Sequence, residues 1–575
     1  MALAGTCSLS AEKLAERVKH ARGPADVEAA LCGVHGSFHV VASVGGIVYA
    51  RGSLSGARRL HTATVGDITV AADRARTLAW LTGAELDTTQ LAARLVTPFL
   101  PYPLAGGAMW RGIRAVAPGE AMRLGPSGPR VTAPWWHAPE GELPLAEAAS
   151  ALRDALREAV CVRVRPGEVL GVDLSGGMDS TSVCFLAAEA GVRLITATLH
   201  WSAPDNEDPI YSGLAADRLP VIQRLVFPAT ELPAHFAGLH QRRDPGDEPS
   251  SALRDRAQQQ YVSEQLRAHG AVRRLTGHGG DHVVQPPESY LHTLLRRSPR
   301  LGLRHAAGLR AKRRWPLRAT ASVLLDSRPY NAWLAGSAAH LRETSAPVGT
   351  LPHGWGPRPH LPAWADAQAV ELISDLLRSA AGHVEPLAGD RTRHAWMELA
   401  QEAGRTAAHL TRESTAAGLV AHSPFCDDNV ITACMAARPH EAAAPWTYKP
   451  LLAAAMDGLV PIRVLRRTTK DHCGPEWYAG LGLHLRDLAN WAEDSRLVAV
   501  GLADRDQLRR ALMSPGLLGA DVGELEFTLG AEEWLRDLAA HPVPAYLDRD
   551  DARSRHSLSA PLPSDQGASH ESTAS

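Results

Sequence analysis

The chain has 575 residues, 45% hydrophobic and 21% charged, which is enough apolar content for ordinary cores and too much length for a single one. Sixty Lys+Arg against 62 Asp+Glu leave a formal net charge of −2, so no global field draws it to nucleic acid or anionic lipid. Only five of those 60 basic residues are lysines (13, 19, 312, 449 and 470), none follows a glycine, and a Walker A phosphate loop is excluded.

The opening MALAGTCSLSAEK lacks the basic-then-apolar arrangement of an export signal. The uncharged stretch from Ala29 to Ala50 is broken by His35, His39 and several glycines, and reads as a hairpin rather than a membrane span. Its arms are GSFHVVASV and IVYARG, with Gly45-Gly46 supplying the turn. Short strand-like runs continue through DITVAAD, RGIRAVAPGEAMRL and PRVTAPWWH, so residues 1–140 read as a β-rich domain closed by the Pro-containing APEGELP. Seven cysteines, never spaced C-x-x-C, argue against zinc and disulfides and for a reducing cytoplasm.

From Leu145 the texture becomes α/β. LAEAASALRDALREAV has helical spacing, EVLGVDL is an apolar strand, STSVCFLAAEAG is a helix closed by Gly191, and VRLITATL is again a strand. VIQRLVF, the helical ALRDRAQQQYVSEQLRAHG and AVRRLTG extend the alternation, which implies a parallel sheet covered by helices, with ligands beyond the carboxyl ends of its strands. From about Tyr290 to Ala540 the pattern is mostly helical, and residues 548–575 are too polar to pack and read as disordered. Residues 141–547 then form the second domain.

The sharpest local feature is Ser175-Gly176-Gly177-Met178-Asp179-Ser180, between a strand and a helix expected to begin near Ser180. Two glycines let backbone N–H groups turn toward one point, two hydroxyls add donors, and the helix aims its positive end there. Asp179 would repel bare phosphate, so the loop implies polyphosphate bridged by Mg²⁺. Gly277-His278-Gly279-Gly280-Asp281 follows another strand and reaches the same sheet edge, where Asp281 can share the metal with Asp179.

S-G-G-x-D-S resembles the fingerprint of the PP-loop ATP pyrophosphatases, which resemble adenine nucleotide alpha hydrolases in fold. With the hairpin domain, RGSLSGARRLH, VAPGEAMRL, the GHGGD loop, SPFCDD at 423–428 and YKPLLAAAMDGLVPIRVLRRTTK, more of the chain is similar to asparagine synthetases. The resemblance implies an N-terminal Ntn-hydrolase-like glutaminase domain and a C-terminal synthetase domain with a helical extension. It also implies ATP and Mg²⁺ as cofactors, and cleavage of ATP to leave AMP on a substrate carboxylate. By the same resemblance Ser175, Gly176, Gly177, Asp179, Ser180, Gly279 and Gly280 hold the nucleotide, and Asp179 and Asp281 the metal. Lys470 then meets charge developing in the transition state, and Lys449 is left a surface or supporting role.

Asparagine synthetases use a cysteine exposed as their first residue, whereas here Ala2 follows Met1, so the glutaminase is expected to be degenerate and Cys7 an ordinary thiol. His278 stands where the relatives carry a carboxylate or a tyrosine facing the acyl acceptor, and is the candidate base. Relatives lacking the cysteine include β-lactam synthetases and lasso peptide cyclases, which carry the amine within the substrate. Nine Lys/Arg and no acid between Glu288 and Asp326 read either as a solvated helical face or as a basic face that could hold an acidic peptide, the latter favouring a peptidic substrate. The expectation is therefore a lasso peptide macrolactam synthetase, with a precursor peptide as substrate and a leader-recognition protein and leader peptidase as partners. The alternative is a small-molecule amide ligase of the β-lactam synthetase type.

Overall fold

The computed structural model describes residues 1–125, 131–343, 354–514 and 522–547. The tail expected to be disordered lies outside the described residues. Strands β1 (Ala2–Cys7), β2 (Gly36–Val44) and β3 (Ile47–Arg51) open the chain, followed by β4 (Leu60–Val65), β5 (Ile68–Ala72) and β6 (Arg114–Val116). The strands β7 (Glu120–Leu124) and β8 (Val131–Pro134) complete two antiparallel sheets ordered β1-β2-β3-β7-β8 and β5-β4-β6. The expected hairpin is present, with Val44 opposite Ile47 and both turn glycines at positive φ, 58° and 76°. Along β2, Phe38, Val40 and Ala42 are buried while Val41 and Ser43 are exposed, the period-two pattern of a sheet with one face on a core.

This region is less purely β than its strand-like runs suggest. Helices Ala11–Val18, Pro24–Leu31, Ala75–Thr82 and Thr88–Ala93 interrupt the strands, and β1 pairs with β2 although MALAGTC carries no alternation marking it. One hydrophobic core also runs from Ala75–Ile113 into the helices between Tyr330 and Trp534, with Trp110 and Trp534 rings 5.8 Å apart. Packing therefore crosses residue 140.

The second region is mixed α/β around a parallel sheet. It contains β9 (Val169–Asp173), β10 (Arg193–His200), β11 (Val221–Pro228), β12 (Arg274–Leu275) and β13 (Ala421–His422) in the order β11-β10-β9-β12-β13. Helix Met178–Glu189 connects β9 to β10, Asp208–Ala216 connects β10 to β11, and Arg256–Ala268 precedes β12. The chain then makes a long helical excursion ending in helix Arg391–Ala416 before β13 returns beside β12. Because β9 and β12 are adjacent and parallel, the loops leaving their carboxyl ends emerge side by side where the strand order reverses, the place at which open α/β sheets bind ligands.

Candidate functional site

The two glycine-rich turns nest into one another. Helix Met178–Glu189 starts two residues earlier than expected, putting Asp179 and Ser180 in its first turn, where a carboxylate suits the positive helix end. Gly176 has φ +75°, and a Cβ there would lie 2.6 Å from Ser212 N. Ser175 Oγ and Ser180 Oγ are 2.9 Å apart, and Gly177 N–H donates to Ser175 Oγ at 3.2 Å, so the turn is braced by its own hydroxyls. The second turn presses against it: a Cβ on Gly277 would sit 2.5 Å from Ser180 N, and one on Gly280 2.4 Å from Asp179 Cγ. No side chain fits between the loops.

That contact brings the carboxylates of Asp179 and Asp281 together, bridged by Lys449. The ammonium bonds Asp179 Oδ2 and lies 2.7 Å from Asp281 Oδ1. Lys449 is 1% exposed and occupies the left-handed region at φ 45°, just before Pro450, so it is a buried bridge and not a surface residue. Lys470 closes the cluster from the solvent side, Nζ to Asp281 Oδ2 at 2.7 Å, and Tyr448 donates to Asp281 Oδ1 at 3.3 Å. Burial pushes the Asp179 carboxyl up against the pull of Lys449. Burial also opposes ionisation of Asp281, but Lys449 and Lys470 outweigh it and hold that carboxyl well below its usual range. Lys449 stays protonated: desolvation works against the ammonium, and its two carboxylates overcome it.

These residues line a cavity of about 310 Å³ that extends past Ser175, Gly177 and Gly277 to Leu199, Trp201, Gln259 and Arg274. Two carboxylates are too few to cage a metal by themselves, and no group of three or more His, Cys, Asp or Glu forms a metal site among the described residues. They do fit Mg²⁺ held jointly with polyphosphate oxygens, the way this ion is usually bound. Asp179 Oδ1 is buried with no hydrogen-bond partner, an acceptor left open beside Asp281.

Residues that sequence reasoning missed hold Lys470 in place. Asp471, downstream of it, accepts from Glu207 N at 2.8 Å and Asp208 N at 2.7 Å, fixing the start of helix Asp208–Ala216. Arg467 spans Asp208 and Asp471, 2.7 Å to each. The string RRTTKDH contains this clamp, but its partners lie over 250 positions upstream.

His278 does not line the cavity. Its Nε2 donates to the Ala403 carbonyl of helix Arg391–Ala416 at 2.9 Å, and burial lowers its pKa. The expectation that it faces the acceptor as a base is corrected by this placement: the imidazole finds its partner on the helix behind the loop. Gly279, at φ +94°, gives room to Cys426 and Phe425, and Gly280 to Asp179; neither lines the cavity, where Gly277 does. The segment SPFCDD is structural. Asp427 and Arg163 form a buried two-bond pair at 2.5 and 2.7 Å, and Asp428 Oδ1 accepts from Leu54 N at 2.8 Å, joining the antiparallel part to the parallel one.

A profile described as "Asparagine synthase" matches residues 151–536. The chain belongs to the asparagine synthase family. No curated protein matches the chain. Among solved structures, one described as the allosteric regulatory enzyme of purine biosynthesis is 14% identical over 38% of this chain and 53% of that one, with a TM-score of 0.15. Glutamine phosphoribosylpyrophosphate amidotransferase from B. subtilis, complexed with ADP and GMP, is 14% identical over 49% of this chain and 56% of that one, with a TM-score of 0.17. The chain spans about half the length of each, and scores this low carry no argument about function. No helix of the described residues is long and apolar enough to cross a membrane.

Proposed function

We propose that this protein is an AMP-forming macrolactam synthetase of the lasso peptide type, adenylating an Asp or Glu side chain of a precursor peptide and joining it to the peptide's N-terminal amine. The observation that carries the reading is the convergence of Asp179, Asp281, Lys449 and Lys470 at the mouths of two neighbouring parallel strands, with one carboxylate oxygen left unbonded. Asp179 and Asp281 would hold the Mg²⁺, which with ATP bound would neutralise charge on the leaving pyrophosphate. The Ser175–Ser180 turn cradles phosphate through its N–H groups and the following helix start. Lys470, 73% exposed at the rim and tethered by its Arg467–Asp471 neighbours, meets the charge that develops on the phosphate oxygens and on the oxyanion of the tetrahedral intermediate. The substrate carboxylate attacks the α-phosphorus and expels pyrophosphate; the amine then attacks the acyl carbon and expels AMP, losing one water overall from the peptide.

Two features support an amine that arrives within the substrate. Cys7 ends β1 with its thiol turned to the Leu9 carbonyl at 3.5 Å, which is not the arrangement of an N-terminal nucleophile beside its own α-amine. The two antiparallel sheets suit a degenerate glutaminase-like domain of the Ntn-hydrolase type, and the parallel sheet with its SGGMDS turn suits a PP-loop synthetase domain. Incubation with ATP, Mg²⁺ and a leaderless precursor peptide, followed by mass spectrometry, tests the reading. The expected result is a peptide lighter by one water with one AMP per product. Adenylation of a small β-amino acid instead would replace the peptidic substrate, and formation of ADP would overturn the ATP chemistry.

A further inference from the structure

Helices Tyr290–Arg297, Pro299–Arg313 and Leu317–Leu325 enclose a small core of their own around Tyr290, Leu294, Leu309, Trp315 and Val323. Helix Pro299–Arg313 turns Gly302, His305, Ala306 and Leu309 inward. Its other face is exposed and carries Arg300, Leu303, Arg304, Ala307 and Arg310, the three- and four-residue steps of one helical stripe. Lys312, Arg314 and Arg318 add exposed charge at its carboxyl end.

The fold does not neutralise this charge. No acid lies between Glu288 and Asp326, and the carboxylates that flank the face are already engaged: Glu142 pairs with Arg297 at 2.7 Å, Glu288 with Arg313 at 3.0 Å and Asp326 with Arg328 at 2.8 Å. Among the described residues, Arg300, Arg304, Arg310, Lys312, Arg314 and Arg318 have no carboxylate within salt-bridge distance. Unpaired like charges on one face repel one another, and an anionic partner relieves that repulsion. The stripe is not purely ionic. Leu303 is 61% exposed, and Trp446, 56% exposed, lies along its edge with the Arg304 guanidinium 4.9 Å from its ring centroid. A Cβ on Gly308 would come 3.5 Å from the same ring, so the helix backbone passes close to it.

We propose that this face docks an acidic segment of the peptide substrate and leads it to the nucleotide site. This rests on the synthetase reading above and deepens it by naming what recognises the peptide. Continuity with the site selects the occupant. Trp446 stands two residues before Tyr448, which donates to Asp281 Oδ1, so about 7 Å of chain joins the edge of the stripe to the acid cluster. The helix has 15 residues and is about 22 Å long, the span of roughly seven extended residues. Its arginines meet Asp and Glu carboxylates, and Leu303 and Trp446 receive apolar side chains between them. A lipid surface would call for a continuous apolar strip under the charges, and a single-stranded nucleic acid for a row of stacking rings. The stripe instead alternates single apolar residues with arginines and carries no aromatic side chain of its own.

Fluorescence anisotropy with the full chain tests this, using fluorescein-labelled Glu-Leu-Glu-Gly-Glu-Leu-Glu-Gly as the probe. Binding is expected, with affinity falling about tenfold between about 50 and 200 mM salt, and none for the same peptide with Gln in place of Glu. The joint variant Arg300→Gln, Arg304→Gln, Arg310→Gln should weaken the probe about tenfold or more and leave the melting temperature and binding of ATP with Mg²⁺ unchanged. With the precursor peptide it should raise KM about tenfold at unchanged kcat. An unbound probe, or equal affinity in the variant, overturns the proposal. So do phosphatidylglycerol vesicles or poly(U) RNA held as tightly as the probe through the same arginines, which would assign the face to another polyanion. Failure of the synthetase reading is separate: it appears as probe binding here with no AMP formed from ATP and any peptide.

Discussion

Replacing Lys449 by methionine removes the charge that lets two carboxylates face each other in a buried site. The ammonium bonds Asp179 and lies 2.7 Å from Asp281, so the carboxylate oxygens it joins are at most about 5 Å apart. Two like charges at that separation repel by about 3 kcal/mol at an effective dielectric constant of 20. Asp281 is 42% exposed, and solvent screening reduces this to about 1–2 kcal/mol. Loss of the attraction on the Asp179 side, where the lysine side chain is only 2% exposed, adds the larger part, and breaking a buried pair by deleting one member costs about 3–5 kcal/mol. Differential scanning fluorimetry without nucleotide should therefore show Lys449→Met melting several degrees below the parent chain. Millimolar Mg²⁺ alone should recover much of the loss in the variant and barely move the parent, in which the ammonium already neutralises the pair. A variant that melts with the parent and ignores Mg²⁺ would refute the argument that Lys449 holds the two acids together.

Further outcomes follow from the same contacts. Asp179→Asn keeps the shape of the site and removes its buried charge, and should lower AMP formation by about a hundredfold or more with circular dichroism unchanged. Arg467→Met should loosen the strap bearing Lys470 and reduce AMP formation by about ten- to a hundredfold without altering the lysine itself. His278→Ala should leave AMP formation within a few-fold of the parent, since the ring is bound to Ala403 and not to the cavity; a loss as large as that of Asp179→Asn would restore the ring to the chemistry. Burial, with Arg59 nearby, pushes the His61 imidazole down to about 3. The folded chain thus holds fewer protons than the unfolded chain between about pH 6.5 and 3, and its stability falls with acid across that window by about 1.4 kcal/mol per pH unit for this residue. His61→Gln should flatten the pH dependence of the melting temperature there; an unchanged slope would contradict the linkage.

The central pairing was readable because each half is a local signal: a glycine-rich turn between an apolar strand and a helix, followed by an acid. Adjacent parallel strands place such turns side by side without further information. Lys449 was not readable, since a lysine before proline marks nothing in the sequence as buried, and only the fold supplies the two carboxylates that make burial tolerable. The orientation of His278 escaped for a similar reason, its partner being a carbonyl 125 positions downstream. Strands β12 and β13 are two residues each, too short for a periodicity, and are held by their neighbours in the sheet. The core shared by residues 75–113 and the later helices was invisible because apolar spacing shows which face a helix buries and not against what.

In the proposed function Asp179 and Asp281 hold a nucleoside triphosphate through one shared divalent ion. Calorimetric titration with α,β-methylene-ATP, which cannot be cleaved at the α–β link, tests it with and without Mg²⁺. Binding should require Mg²⁺ in the parent chain and be lost in both Asp179→Asn and Asp281→Asn. Equal affinity with the metal removed, or with either carboxylate replaced, would contradict the account.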